Sequence, residues 1–324
     1  MKAIHVHEFG GPEVMKYEEA EDLSTGPGQV LIEVRAAGVN PVDTTFRSGA
    51  HPLSKSLELP WTPGIDAAGE VVEVGAGVEG FKPGDRVFGA AMTGSYAERS
   101  GLNGLRTAHI PSNLSFEDCA SFPVVLYTAF YALVVKAGVQ PGQTVLVHAG
   151  AGGVGSMAIQ IAKAAGARVI TTVSSKEKAD VASSLGADVV VNYREEDFAE
   201  RCAAETGGNG VDSVIEMVSA ENFDGSCRAL KKGGKLVLLG AGTGKNPVGS
   251  VTYPPFYSKD IDVRGMSLFN ADSVFSDMLR QANHLLETGK VRPLVGEVIP
   301  IAEAARAHEV LITGKVPGKI VLKV

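Results

Sequence analysis

Between Thr144 and Gly155 the chain reads Thr-Val-Leu-Val-His-Ala-Gly-Ala-Gly-Gly-Val-Gly. The apolar run 144–149 has the length and β-branched content of a buried strand, and Gly150, Gly152 and Gly155 complete a G-x-G-x-x-G. After it, Val154, Ala158, Ile161 and Ala165 recur at helical spacing. Strand, glycine turn and helix in that order constrain the fold more than any other feature, because a pyrophosphate needs all three. Gly150 is expected to supply the angles of a tight turn, and Gly152 to let the backbone approach a phosphate. Gly155 is expected to let the helix lie against its strand, with Gly153 and Val154 completing the turn. The unpaired N–H groups at the helix start would then face the phosphates.

The surrounding chain agrees with that unit. Strands are predicted at 144–149, 168–173, 188–192, 212–217, 235–240 and 261–267, with helical segments between most of the first five. These near-continuous runs of Val, Ile and Leu suit a parallel sheet covered on both faces, in the doubly wound order 3-2-1-4-5-6. The first half has another texture. Residues 1–35 read as two strands and a turn, and short strands with Gly/Pro turns follow at 63–75 and 80–88 and continue through Gly94–Glu98. That density predicts a small β-barrel type of domain. Asn40 before Pro41 reads as a helix entry, and Asp43 and Arg47 are spaced to pair along one helix face. Ser115 with Glu117 and Asp118 opens a helix that should run through Cys119, Phe122, Leu126 and Phe130. The tail alternates a helix near 272–288, a strand near 295–299, a helix near 302–313 and a strand at 319–324. It is expected to return to the first domain. The fold class is therefore α/β, with one domain of residues 1–122 and 269–324 and a dinucleotide-binding domain of residues 123–268.

A net charge of −7 argues against a nucleic-acid partner. No apolar run approaches the length of a membrane span, the first residues lack the apolar core of a signal peptide, and a cytoplasmic protein is expected. Cys119, Cys202 and Cys227 form no C-x-x-C, so neither a disulfide framework nor a zinc site of cysteines is expected. His5 and His7 share one face of a strand, but with only Glu8 adjacent, on the opposite face, no metal site is expected there. NAD-binding folds end their second strand with an acid that grips the ribose 2′-hydroxyl. Here Val173 stands at that place, followed by Ser174, Ser175 and Lys178, which offer hydroxyls and a positive charge. A 2′-phosphate fits such a place, so the cofactor is expected to be NADPH.

Taken whole, the chain resembles the zinc-independent quinone oxidoreductases, zeta-crystallin-like members of the medium-chain dehydrogenase/reductase superfamily. The resemblance rests on Gly38-Val-Asn-Pro-Val-Asp43, Pro63-Gly-Ile-Asp-Ala-Ala-Gly69, Phe81-Lys-Pro-Gly-Asp-Arg-Val87 and His148–Gly155, and later on Gly210–Met217 and Gly318-Lys-Ile-Val-Leu322. It implies a GroES-like β-barrel catalytic domain beside a Rossmann doubly wound parallel sheet, with the active site in the cleft between. Zinc-dependent relatives place a cysteine ligand where this chain has Asn40 and a Gly-His-Glu where it has Gly64-Ile65-Asp66, so no metal is expected. Carried over by motif, Asn40 and Thr128 would flank the nicotinamide end. Gly152, Gly153, Val154 and Gly155 would hold the pyrophosphate, and Ser174, Lys178 and Tyr193 the 2′-phosphate region. Val218, Gly240, Ala241 and Leu268 follow strand ends, where open α/β sheets bind ligand. The implied reaction is NADPH-dependent reduction of a quinone. Reduction of an enone double bond is the alternative on the same scaffold, and an RNA-binding or structural role belongs to a different class. A homodimer or homotetramer through the edge strand near 261–267 is the implied assembly.

Overall fold

The computed structural model describes residues 1–240 and 248–324. It divides into two compact units: Met1–Val125 with Phe275–Asn283 and Pro293–Val324, and Leu126–Val274 with His284–Arg292.

The first unit opens with an antiparallel ribbon of β1 (Lys2–Val6) and β2 (Met15–Glu19). Ile4 and Val6 of β1 and Met15 of β2 are buried. β3 (Gln29–Gly38) makes three strands before residue 40 where the sequence suggests two. β2 escapes the reading because its Met-Lys-Tyr-Glu-Glu contains no β-branched residue and three charges. Then follow α1 (Pro41–Arg47), β4 (Asp66–Val74), β5 (Arg86–Ala90), β6 (Arg99–Asn103) and β7 (Thr107–His109). Gly94–Glu98 forms no strand of its own and contributes one bridge, Ala97 to Ala3. α2 (Phe116–Ala120) is capped reciprocally, Ser115 and Asp118 each receiving the other's backbone N–H. The helix expected to run on through Phe122 and Leu126 breaks there instead. Pro123 lacks an N–H and disfavours helical geometry in the residue before it, so α3 (Pro123–Phe130) starts anew. α3 then widens into a π-helical stretch, Tyr131–Ala137, that stops at left-handed Gly138.

The second unit contains β8 (Thr144–Val147), α4 (Gly153–Ala164), β9 (Arg168–Val173), α5 (Lys176–Ser184), β10 (Val189–Asn192) and α6 (Phe198–Glu205). It continues with β11 (Val211–Glu216), α7 (Phe223–Ala229), β12 (Leu230–Leu238), α8 (Tyr253–Ser258) and β13 (Asp262–Gly265). All five strand pairings are parallel, in the order β10-β9-β8-β11-β12-β13. Renumbered from β8 this is 3-2-1-4-5-6, as the sequence predicts. Val145, Leu146 and Val147 of central β8 are fully buried, which is why the run reads as continuously apolar.

α9 (Asp272–Glu287), β14 (Val295–Pro300), α10 (Ala304–Thr313) and β15 (Lys319–Lys323) complete the chain. β15 lies antiparallel to β3, so the first unit's sheet runs β14-β15-β3-β4-β5-β7, with β6 paired to the other half of β3. Small residues let β3 sit so close to its neighbours: a Cβ on Gly69 would lie 2.0 Å from the Glu33 carbonyl, and one on Gly38 2.2 Å from that of Ala120. Ile4, Ile32, Val87, Tyr96, Leu102, Ile299 and Leu322 meet in this unit's core. No helix among the described residues is long and apolar enough to cross a membrane.

Candidate active site

The carboxyl ends of the second unit's strands form a platform. Among the described residues, two of the three non-glycine residues with left-handed backbone are here, Ala149 (φ 51°) after β8 and Ser219 (φ 62°) after β11. Such conformations cost about 1–3 kcal/mol each and concentrate at functional sites. The turn after β8 thus takes its unusual angles at Ala149, and Gly150, expected to supply them, does not. Gly150 is needed for space instead, since a Cβ there would lie 2.1 Å from Thr171 Oγ1. A Cβ on Gly155 would lie 2.2 Å from the Ala149 carbonyl oxygen, so α4 rests directly on the turn. A Cβ on Gly152 would touch only that same oxygen, at 3.2 Å. The first bond into α4 is donated by Ser156 to the Gly152 carbonyl at 2.9 Å. The N–H groups of Gly153, Val154 and Gly155 precede it and can face an anion.

Residues expected at the 2′-phosphate follow the ends of β9 and β10. Lys178 Nζ donates to Ser174 Oγ at 3.2 Å, and the Tyr193 N–H donates to the Val173 carbonyl at 3.1 Å, with its side chain exposed. Val218 follows β11, Gly240 follows β12, and Leu268 begins a short turn after β13. A Cβ on Gly240 would lie 1.9 Å from the Met217 carbonyl, and Ser219 Oγ donates to the Gly240 carbonyl, tying neighbouring strand ends together. Thr128 is buried within α3. Ala241 lies outside the described residues.

Sequence reasoning missed what holds this platform. His148 is buried between Thr172 Oγ1 at 3.0 Å, Ser226 Oγ at 3.1 Å and Glu216 Oε2 at 3.2 Å. Burial lowers the His148 pKa, against the pull of Glu216, and favours the neutral ring. The other Glu216 oxygen accepts the N–H groups of Val218 (2.8 Å) and Ser219 (2.9 Å) and so fixes the strained turn. The signal was a histidine directly before the glycine turn and a carboxylate ending an otherwise apolar strand.

The first unit buries a second polar assembly around Asn40. Its backbone N–H donates to Asp43 Oδ2 at 2.8 Å, half of a capping box. Its side chain is used elsewhere: Nδ2 donates to Asp66 Oδ2 at 2.9 Å, and Oδ1 accepts from Lys319 Nζ at 2.5 Å. A carboxylate on one side and an ammonium on the other fix which way the amide faces. One Nδ2 hydrogen remains for another acceptor. Lys319 also donates to the Val39 carbonyl at 2.7 Å and stands 3.5 Å from Asp66 Oδ2, while Asp66 Oδ1 accepts the Val124 N–H. Burial raises Asp66 and lowers Lys319, and each charge pulls the other back.

Asp43 and Arg47 do not pair. Arg47 donates to the Gly10 carbonyl and to His308 Nδ1 at 3.1 Å, whereas Asp43 Oδ2 accepts the Tyr96 hydroxyl at 3.0 Å. His308 Nε2 meets the Tyr96 oxygen at 3.3 Å, and burial, with Arg47 beside it, takes the ring down to about 3. A neutral ring that accepts at Nδ1 donates at Nε2, so the assembly runs Arg47, His308, Tyr96, Asp43 with every partner matched. Burial pushes the Asp43 carboxyl up to about 7. A separate hollow of about 760 Å³ beside Val78, Met92 and Leu105 contains none of the predicted site residues.

Residues 26–108 match the alcohol dehydrogenase GroES-like domain, and residues 153–284 match the zinc-binding dehydrogenase family. The quinone oxidoreductase of Sus scrofa is 36% identical over 326 residues, covering 99% of this chain and 97% of that protein. The chain belongs to the quinone oxidoreductases of the medium-chain dehydrogenase/reductase superfamily. Two solved structures extend the likeness over the whole chain. The Escherichia coli quinone oxidoreductase complexed with NADPH has a TM-score of 0.90 at 33% identity, covering 100% of both chains. A structure described as an NAD-dependent alcohol dehydrogenase also has a TM-score of 0.90, at 35% identity and the same coverage. In this quinone oxidoreductase the sheet of β14-β15-β3-β4-β5-β7 belongs to the GroES-like domain, and the parallel sheet is the Rossmann domain.

Zinc does not fit the Asn40–Asp66 position. Zinc needs several thiolate, imidazole or carboxylate ligands converging, and here a single carboxylate is already neutralised by a lysine ammonium.

Proposed function

We propose that this quinone oxidoreductase reduces a quinone with NADPH in preference to NADH, without zinc. Hydride is what the dinucleotide supplies when bound. The chain's own part is to hold and orient. The observation that carries the cofactor preference is the Lys178–Ser174 pair at the end of β9, where an acid would select NADH. The free N–H groups of Gly153, Val154 and Gly155 suit the pyrophosphate. Val218, Gly240 and Leu268, which follow the ends of β11, β12 and β13, are assigned to the same cofactor. The reading assigns Asn40 and Thr128 to the nicotinamide and acceptor end. The remaining Nδ2 hydrogen of Asn40, its amide held by Asp66 and Lys319, would donate to developing negative charge.

In this reading residues 1–122 and 269–324 form the catalytic domain and residues 123–268 the cofactor domain. β13 is a sheet edge with exposed Val263, which suits a homodimer or homotetramer. Buried free thiols at Cys119, Cys202 and Cys227 suit the reducing cytoplasm.

The test is NADPH and NADH oxidation with phenanthrenequinone, benzoquinone and a short enone. Turnover of quinones with NADPH supports the reading. Turnover of the enone alone moves the function to double-bond reduction, and equal use of NADH removes the role given to Ser174 and Lys178.

A further inference from the structure

The outer face of the β1–β2 ribbon carries an assembly that the proposed reaction does not use. His7 stands two residues after His5, one position beyond the end of β1, and Glu18 comes from β2, its backbone opposite Ala3 in the register. A single carboxylate oxygen, Glu18 Oε1, lies 2.8 Å from His5 Nδ1 and 2.6 Å from His7 Nε2. Glu8, the acid nearest in sequence, takes no part, and the cross-strand partner is invisible until the register is known.

We propose that His5, His7 and Glu18 bind one divalent transition-metal ion of the zinc class. Two imidazoles and one carboxylate are the donor types zinc takes when it keeps an open fourth position. The three donor atoms already lie within 4.8 Å of one another. Bonds of about 2.0–2.2 Å around a tetrahedral ion put ligand atoms roughly 3.3–3.5 Å apart. The nitrogen–oxygen pairs therefore need to open by roughly 0.5–0.9 Å to admit the ion. His5 is fixed on the regular strand with its side chain largely buried, while His7 and Glu18 are more exposed, leaving a path for entry. Lys16 stands opposite His5, but its ammonium is turned to the Glu13 carbonyl, 3.0 Å away. The rings lie edge to face, with centroids 6.0 Å apart, so both nitrogens reach one point without the rings stacking. Imidazole ligands make cupric and nickel ions competitors for the same place.

The test is calorimetric titration of the chelator-stripped full chain with zinc chloride near neutral pH, and with cobaltous ion followed by visible absorption. One equivalent should bind saturably, and the cobalt form should show the strong absorption of a four-coordinate centre. Glu18→Gln and His7→Ala should each weaken binding at least about tenfold, the lower end of what loss of even an outer partner costs. Quinone reduction by the variants should stay within twofold of the parent, which separates this site from the proposed active site. Undiminished binding in a His5→Ala/His7→Ala double variant would put the ion elsewhere and overturn the proposal, as would the absence of saturable binding.

Discussion

Replacing Lys319 by Met tests how the first unit does without a metal at Asn40 and Asp66. The substitution keeps length and apolar bulk but removes a buried ammonium that serves the Val39 carbonyl, Asn40 Oδ1 and Asp66 Oδ2. Breaking a buried pair by deleting one partner costs about 3–5 kcal/mol, because the other charge stays behind in the interior. Here that charge is Asp66, which is fully buried and already raised by burial. Without Lys319 it rises further. An acid whose folded pKa lies above its unfolded value loses stability as pH climbs between the two. The penalty of Lys319→Met should therefore be smallest in acid and grow as pH rises. A Lys319→Met/Asp66→Asn double variant leaves no unpaired charge and should be more stable than Lys319→Met alone. Trp61, the chain's single tryptophan, is buried in the same unit's core. Its fluorescence during denaturation by urea follows that unit and not the whole chain. A loss under about 1 kcal/mol for the single variant, or a double variant as unstable as the two single losses summed, would refute the pairing.

Three further outcomes follow from the same geometry. The folded Asp43 carboxyl keeps its proton up to about 7, against 3.8 for the free group. Stability of the first unit should therefore fall by up to about 4 kcal/mol as pH rises between those values, and Asp43→Asn should flatten that slope in Trp61-monitored unfolding. Lys178→Ala should raise the KM for NADPH about tenfold while leaving that for NADH within twofold, because only the 2′-phosphate distinguishes them. Equal effects on both would contradict the assignment. Gly155→Ala forces a Cβ onto the Ala149 carbonyl, which is backbone and cannot swing aside. It should lower stability by about 1–3 kcal/mol and weaken NADPH binding, measured by thermal unfolding and fluorescence titration.

The parallel sheet was legible because its central strands, β8, β9 and β11, are buried along most of their length and therefore mostly apolar. β2 was not, because its half-exposed strand mixes Met15 and Tyr17 with Lys16, Glu18 and Glu19. The glycine turn was recognised but its internal assignment was not. A pattern of glycines gives no sign that Ala149 adopts the left-handed angles, or that Gly150 is demanded by Thr171 across the next strand. Helical spacing allows Asp43 to meet Arg47, but both are buried, and buried groups answer to tertiary partners: Tyr96 for one, His308 for the other. Lys319 stood in the sequence as one residue of a motif. Its contact with Asn40 exists only through the pairing of β15 with β3. Ser174, Lys178 and Tyr193 stand where the strand pattern puts them, after the ends of β9 and β10.

That pairing also orders events during synthesis. Asn40 leaves the ribosome 279 residues before the lysine that orients its amide. Until β15 arrives, Val39, Asn40 and Asp66 hold acceptors with no ammonium to meet, and one side of β3 is open. A chain stopped between β13 and Lys319 would carry the whole parallel sheet and every glycine of the phosphate turn, yet leave the Asn40 amide unaligned. On the proposed reading, such a fragment should bind dinucleotide without turning over acceptor.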